Sequence, residues 1–118
     1  MTDILINNAF GKDNLEKAAV AFIIAGASAA RDGETAVFLT SEAIHLAAQG
    51  GTDGLQENGY PAMTDLVQAY VEKGGTLWVC KACADAKGVN AEQLIPGAEI
   101  AGAGHILGFL DNGGQVLI

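Results

Sequence analysis

The sequence predicts an α/β fold: a flavodoxin-like three-layer sandwich with a mostly parallel five-stranded sheet, in one domain over residues 1–118. Short apolar runs alternate with segments of helical periodicity, which is typical of strands joined by crossover helices. The runs are apolar throughout, as expected for a parallel sheet covered on both faces. A length of 118 residues allows one domain with a substantial core.

The N-terminal part of the chain is predicted to hold two strands and two helices. Residues 4–6 form a short apolar strand, and residues 35–39 form a second, buried one. Between them, Asp13 and Glu16 resemble a capping box that begins a long, mostly apolar helix. A short helix over residues 41–48 follows the second strand.

Residues 49–61 form the longest stretch without periodicity and contain four glycines. Long irregular segments in small domains are often functional or mobile, and a plain solvated connection is the alternative.

Six elements are predicted after this segment. They are a helix over 61–73, a strand over 76–79, a helix over 82–87, a strand over 98–101, a weak helix over 104–110 and a closing strand over 115–118.

The composition excludes two classes of partner. The net charge is −8 and the isoelectric point is near 4.4, whereas nucleic-acid binding depends on Lys and Arg that neutralise phosphate. The same deficit argues against an anionic membrane surface. Because half of the residues are apolar and only 17% are charged, we expect a homo-oligomer that covers part of its own surface.

The apolar run over residues 18–30 requires a test for membrane insertion or export. Its 13 residues fall short of the roughly 20 needed to span a bilayer. Residues 1–17 lack the basic region of a signal peptide, although Ala27-Ser28-Ala29 mimics a cleavage site. Cleavage there would remove the first predicted strand, so we expect a cytoplasmic protein.

The only two cysteines, Cys80 and Cys83, follow the third predicted strand. Sites of open parallel sheets form at the carboxyl ends of strands, outside a topological switch point. A helix N-terminus, with Lys81 and Lys87 nearby, is expected to favour the Cys80 thiolate, so Cys80 would attack and Cys83 would resolve. Both cysteines also fit the role of small buried apolar residues. The other residues at this edge are Asn7, Asn8, Thr40 to Glu42 and Gly102 to His105.

Other site types fit the sequence less well. His45 and His105 could complete a zinc site with the cysteines, but their separations match no structural zinc motif, which leaves a metal shared between subunits as the alternative. Each histidine also fits an ordinary surface position. Trp78 lies one residue too far from Cys80 for a thioredoxin motif. Residues 102–104 (Gly-Ala-Gly) lack phosphate-loop spacing, which favours a tight turn over an anion cradle.

The order of elements and residues 79–84 (Val-Cys-Lys-Ala-Cys-Ala), followed by residues 87–89 (Lys-Gly-Val), resemble the DsrE/DsrF-like family, a sulfur-relay family with the YchN-like fold. The resemblance covers residues 3–118, including 38–40 and 94–100. It implies a cytoplasmic domain that assembles into trimers or hexamers. In active members, a cysteine at the position of Cys80 accepts persulfide sulfur from a donor and passes it to an acceptor. Many relatives have one cysteine in this turn, and some subunits have none.

The leading hypothesis is therefore a sulfur-carrier or sulfurtransferase-like protein with Cys80 as persulfide acceptor and Cys83 as an accessory thiol. It requires no dissociable cofactor or metal, and its partners would be sulfur donor and acceptor proteins. Two alternatives stay open: a non-catalytic assembly or metal- or ligand-binding subunit with structural cysteines, and a Cys80–Cys83 dithiol redox protein.

Overall fold

The computed structural model describes residues 1–118 as five strands, four α-helices and two short 3₁₀ helices. The strands are β1 (Ile4–Asn8), β2 (Thr35–Leu39), β3 (Thr76–Cys80), β4 (Ala98–Ala101) and β5 (Gln115–Leu117). The α-helices are α1 (Leu15–Ala29), α2 (Met63–Glu72), α3 (Lys81–Lys87) and α4 (Ala103–Asp111). The 3₁₀ helices are Ser41–Ala47, after β2, and Ala91–Gln93, before β4.

All five strands are parallel and lie in the order β4-β3-β2-β1-β5. The α/β fold is thus confirmed, and the sheet is entirely rather than mostly parallel. Leu39 pairs with Val79, and Cys80 pairs with Ala101, so the ends of β2, β3 and β4 meet at one edge. The chain adds β2, β3 and β4 on one side of β1 and then returns to add β5 on the other side. The topological switch point therefore lies between β1 and β5, and β1 is two strands away from β3, which carries Cys80.

The strand order explains why the two faces of the sheet are covered unequally. Right-handed crossovers place α1, α2 and α3 on one face, and the reversal before β5 places α4 alone on the other. The larger core cluster has 19 buried residues and includes Ile6, Val37 and Leu77. The smaller cluster has four, Leu5, Ala36, Trp78 and Ala101, packed against α4. Helix α4 itself has no buried residue.

The first helix begins one residue later than the sequence predicts. Asn14 is the N-cap, and its side chain accepts a hydrogen bond from the Lys17 amide at 3.2 Å. The Asp13 carboxylate instead accepts from the Gly11 amide at 2.8 Å, so the predicted Asp13–Glu16 capping box is wrong. A hydrogen bond back to the turn ahead of the helix thus takes the place of a cap at Asp13. No helix of the fold is both long and apolar enough to cross a membrane.

The irregular segment over residues 49–61 is tied down by specific contacts. The Met63 amide donates to the Leu55 carbonyl at 2.9 Å, and the hydroxyls of Thr52 and Thr64 are 2.7 Å apart. The Tyr60 hydroxyl donates to Glu16 of α1 at 3.0 Å. The segment therefore packs toward α1 and α2, and none of its residues lines the cavity beside Cys80 described below.

Candidate functional site

The two cysteines lie where β3 passes directly into α3. Cys80 is both the last residue of the strand and the N-cap of the helix, and its Sγ accepts a hydrogen bond from the Cys83 amide at 3.4 Å. Both are free thiols and both are partly buried. The structure thus places the two predicted site residues side by side at the carboxyl edge of the sheet.

Cys83 also receives a hydrogen bond from the segment after β2. The Ser41 amide donates to Cys83 Sγ at 3.3 Å. Ser41 adopts a φ of 52°, in the left-handed region that non-glycine residues rarely occupy. The residue in this conformation is thus the one whose amide contacts the sulfur. The sequence indicated only that residues 40–42 follow the end of a strand, and it did not indicate this contact with Cys83.

The pKa directions of the two thiols run opposite to the expectation from sequence. Burial, followed by the hydrogen bond with Cys83, raises the pKa of Cys80. The hydrogen bond from Ser41, then the one from Cys80, and the nearby Lys87 ammonium lower the pKa of Cys83. Lys81, which was expected to favour a Cys80 thiolate, is instead bound to Asp85 at 2.8 Å. The more acidic thiol of the pair is therefore Cys83.

An apolar cavity of about 400 Å³ opens beside Cys80 on the face of the sheet that carries α4. The side chains that line it come from the ends of β2, β3 and β4 and from the first turns of α3 and α4. The lining residues are Phe38, Cys80, Lys81, Ala82, Ala101, Gly102, Ala103, Ile106 and Leu107. The sequence predicted that Gly102 to His105 lie at this edge. It did not point to Phe38, Ile106 and Leu107 as cavity residues, because their spacing matches that of ordinary core positions.

A small charged cluster lies on the other side of the thiol pair. Lys87 Nζ is 3.4 Å from Glu42 Oε1, and His45 Nε2 is 3.9 Å from Glu42 Oε2. Lys87 and His45 also border a polar cavity of about 400 Å³. This polar cavity and the apolar cavity beside Cys80 share no lining residue.

The histidines do not join the cysteines in a metal site. His45 belongs to the charged cluster, whereas the His105 ring packs edge-on against Trp78 with a centroid separation of 5.7 Å. The fold gathers no group of three or more His, Cys, Asp or Glu residues with the geometry to hold a metal ion. A metal ion bound by one copy of this chain thus has no set of ligands here.

A family model for the DsrE/DsrF-like family matches residues 4–118. The chain belongs to the DsrE/DsrF-like family. This confirms the family resemblance found in the sequence.

Individual proteins are similar to this chain in sequence or in fold. The uncharacterized protein MJ0760 of Methanocaldococcus jannaschii is 32% identical over 108 residues, which are 92% of this chain. The chain spans only 39% of the length of that relative. Among solved structures, the ychN protein of E. coli is similar with a TM-score of 0.70 and 19% identity, covering 99% of this chain and 98% of that one. MTH1491 of Methanobacterium thermoautotrophicum, a protein of unknown function, gives the same TM-score of 0.70 and the same coverage at 13% identity. These two structures share the fold of this DsrE/DsrF-like chain.

Proposed function

We propose that this DsrE/DsrF-like chain is a sulfur carrier that holds persulfide sulfur on Cys80, with Cys83 as an accessory thiol. The observation that carries the proposal is the position of Cys80, a free thiol that opens into an apolar cavity and has a second thiol beside it. Sulfur relay is common in the family, which supports the same assignment.

The chemistry is a thiol–persulfide exchange. The Cys80 sulfur attacks the outer sulfur of a donor persulfide, R–S–SH, and a new S–S bond forms as the donor S–S bond breaks. The donor leaves as R–S⁻ and is protonated to R–SH, while Cys80 becomes a persulfide. Delivery repeats the exchange with an acceptor thiol. No electrons are gained or lost overall, so the cycle needs no oxidant or reductant.

The apolar cavity suits this chemistry in two ways. Phe38 and Ile106, which are both half-buried, give the bound sulfur an apolar surrounding on one side, which would limit side reactions of a reactive persulfide with water. A volume of about 400 Å³ also admits an apolar side chain on the loop that carries the donor or acceptor cysteine. The donor and acceptor in this proposal are proteins with an exposed persulfide or thiol next to an apolar residue.

The proposal includes a homotrimer or homohexamer in the cytoplasm. Support for assembly comes from the edge strand β5, where Val116 is 55% exposed and Leu117 is 41% exposed. A second copy packed on this strand would cover both side chains, neither of which lines the cavity beside Cys80. The two free thiols fit a reducing compartment.

The test is intact mass spectrometry after exposure to a low-molecular-weight persulfide. Wild type is expected to gain one sulfur atom, and reductant is expected to remove it. Cys80→Ser is expected to gain none. A Cys80→Ser variant that gains sulfur as wild type does would end the assignment of Cys80. A wild-type protein that gains none would favour a structural role for the cysteines.

A dithiol redox role is the second candidate, favoured by the hydrogen-bonded contact between the two cysteines. It predicts a reversible Cys80–Cys83 disulfide, seen as the loss of two hydrogen atoms from the intact mass. Persulfide transfer leaves both residues free of an internal disulfide at the end of each cycle, so the two roles give different masses.

A further inference from the structure

A second cavity lies at the topological switch point of the sheet, away from the cysteines. It has a volume of about 510 Å³ and opens at the carboxyl ends of β1 and β5, where the Asn7 amide donates to the Ile118 carbonyl at 3.0 Å. Open parallel sheets bind their ligands in the crevice outside this point of the strand order. The cavity shares no lining residue with the one beside Cys80.

The walls of this switch-point cavity are largely apolar and partly aromatic. Phe10, from the loop after β1, and Tyr60, from the irregular segment, are both half-buried and line it. Val20 and Ala21 of α1 add an aliphatic part. Sites for small organic molecules combine such walls with a few polar groups, and aromatic side chains bind flat rings by stacking. The walls therefore suit a planar ring.

Tyr60 is held in the wall by a hydrogen bond to α1. Its hydroxyl donates to Glu16 Oε2 at 3.0 Å, and this bond raises the pKa of Tyr60, so the hydroxyl stays protonated at neutral pH. Because its proton points at Glu16, the hydroxyl offers only its acceptor lone pairs to a ligand. The segment over residues 49–61 thus supplies a positioned wall of this cavity.

The two asparagines that end β1 have different roles at the cavity. Asn8 is 3% exposed, and its side chain is bonded to the backbone of Phe10 at 3.0 and 3.1 Å, so it shapes the loop that carries the Phe10 ring. Asn7 is exposed and lines the cavity, where its carboxamide supplies both a donor and an acceptor. A carboxamide of this kind pairs with a ring edge that carries an acceptor beside a donor, as adenine does.

The charges at the cavity argue against a phosphate group. Glu16 lines the cavity in the first turn of α1 and places a negative charge where the helix N-terminus would otherwise attract an anion. That N-terminus is already capped by Asn14, which accepts from the Lys17 amide at 3.2 Å. Lys17 is the one basic residue that lines the cavity, and its Nζ lies 4.7 Å from the centroid of the Phe10 ring. One cation against one carboxylate leaves no excess of positive charge, so an uncharged ligand fits best.

We infer that the switch-point cavity binds an uncharged planar heteroaromatic compound with an adenine-type edge, as a free base or as a nucleoside. The ring stacks against the aromatic wall, and the Asn7 carboxamide binds its donor–acceptor edge. The inference does not depend on the sulfur-carrier function, because no residue of the cysteine turn takes part.

The experiment is a titration of the full chain with adenine, adenosine and AMP, followed by amide chemical shifts in NMR spectra. Adenine or adenosine is expected to give saturable shifts at Asn7, Phe10 and Tyr60. Tighter binding of adenosine than of adenine would assign the ligand as a nucleoside, and equal binding would assign it as the base. AMP is expected to bind about fivefold more weakly than adenosine, because Glu16 repels its phosphate. Cys80→Ser is expected to bind as wild type does.

Two wall variants test the contacts. Tyr60→Ala is expected to weaken adenosine binding by about tenfold, the scale of one lost stacking contact, and Tyr60→Phe by less, because it keeps the ring. Asn7→Asp keeps the shape of the side chain but removes its donor, and is expected to weaken binding by about fivefold. Asn112→Asp makes the same change at the opposite edge of the sheet, and Ala103→Trp fills the cavity beside Cys80. Both controls are expected to bind as wild type does, and thermal unfolding checks the folding of every variant.

A charge variant tests the class of ligand. Glu16→Gln keeps an acceptor for the Tyr60 hydroxyl but removes the negative charge, so it is expected to strengthen AMP binding by about fivefold and to leave adenosine binding unchanged. Glu72→Gln makes the same change at an exposed position of α2 outside the cavity and is expected to alter neither.

Four results would overturn the inference. They are the absence of saturable shifts with adenine and adenosine at millimolar concentrations, shifts centred on the cavity beside Cys80, wild-type affinity for adenosine in both Tyr60→Ala and Asn7→Asp, and tighter binding of AMP than of adenosine by wild type. Each of them leaves the sulfur-carrier function standing, since sulfur uptake on Cys80 is measured separately.

Discussion

The Ser41 amide donates a hydrogen bond to Cys83 Sγ at 3.3 Å, joining two positions 42 residues apart in the chain. The contact exists because β2 and β3 are neighbours in register, with Leu39 paired to Val79, so the segments that leave them meet. It makes Cys83 the more acidic thiol of the pair. The chemistry of the site thus depends on a backbone amide outside the cysteine turn.

The conformation of Ser41 predicts the effect of substitutions there. Ser41→Val is expected to destabilise the fold by about 1–2 kcal/mol, because a β-branched residue is strained at a positive φ. It is also expected to raise the pKa of Cys83 by displacing the amide. Ser41→Gly keeps the amide and tolerates the φ, so Cys83 should titrate as in wild type. Chemical denaturation measures the loss of stability, and alkylation rates across pH measure the pKa of Cys83. A Cys83 pKa in Ser41→Val that equals the wild-type value would count against a role of the Ser41 amide.

The single-cysteine variants predict the order of ionisation. Cys80→Ser retains Cys83 with its Ser41 hydrogen bond, so its thiol should ionise below the usual cysteine pKa. Cys83→Ser retains Cys80, whose burial raises its pKa, so its thiol should ionise at higher pH. Ultraviolet thiolate absorbance during a pH titration measures each directly. The reverse order would refute the assignment of Cys83 as the acidic member.

Sequence patterns predicted all five strands and all four α-helices, because the strands are short, mainly apolar runs and each helix has a glycine or a polar turn at its end, but they did not predict the 3₁₀ helix Ala91–Gln93. They also placed Cys80 and Cys83 together, since both follow one strand. They missed the reversed acidity of the thiols, which depends on the burial of Cys80 and on the Ser41 amide that bonds Cys83. Such contacts depend on which strands are neighbours, and apolar periodicity does not specify that order.

Tyr70 predicts a dependence of stability on a buried hydroxyl. Its OH lies 2.6 Å from the Thr76 carbonyl and 3.1 Å from the Thr35 carbonyl, and it shares its one proton between them. Tyr70→Phe is expected to lower the free energy of unfolding by about 1–2 kcal/mol, because it removes this buried hydrogen bond. Gly75→Ala should cost about 1–3 kcal/mol, because a Cβ there would collide with the Tyr70 ring. Urea denaturation measures both, and an unchanged midpoint in either variant would contradict this packing.

The same residue predicts a loss of stability in alkali. Burial raises the pKa of Tyr70 above its usual value. A raised folded-state pKa adds stability that is present below the unfolded value of about 10 and is lost as pH rises toward the folded value. Wild type should therefore lose stability above about pH 10, and Tyr70→Phe should lose less over that range. Parallel loss in the two proteins would exclude Tyr70 as the source.

The exposed face of β5 predicts the oligomeric state. Val116→Glu and Leu117→Glu are each expected to dissociate a trimer or hexamer into smaller species, because a charge would be buried in the contact. Ile23→Glu, on α1 across the sheet, changes a side chain that is 42% exposed and serves as the matched control. Sedimentation velocity reports the result. A wild-type monomer, or equal dissociation by all three variants, would contradict assembly through this face.

The cavity beside Cys80 predicts a difference between small and large sulfur donors. Ala103→Trp is expected to slow uptake from a protein donor by about tenfold or more, because the new ring would fill space that the donor loop needs. Alkylation of Cys80 by a small reagent should change little. Ala91→Trp, at an exposed position outside the cavity, is the control. Unimpaired transfer from a protein donor to Ala103→Trp would show that the cavity is not the docking site.

The most direct test of the sulfur-carrier function is the intact mass of the pure protein after incubation with a persulfide donor, beside Cys80→Ser and with reductant as a control. A carrier is expected to gain one sulfur atom in wild type, to lose it to reductant, and to gain none in Cys80→Ser. No gain in wild type, together with a Cys80 that resists alkylation in the folded state, would contradict the sulfur-carrier function and make the cysteine pair structural.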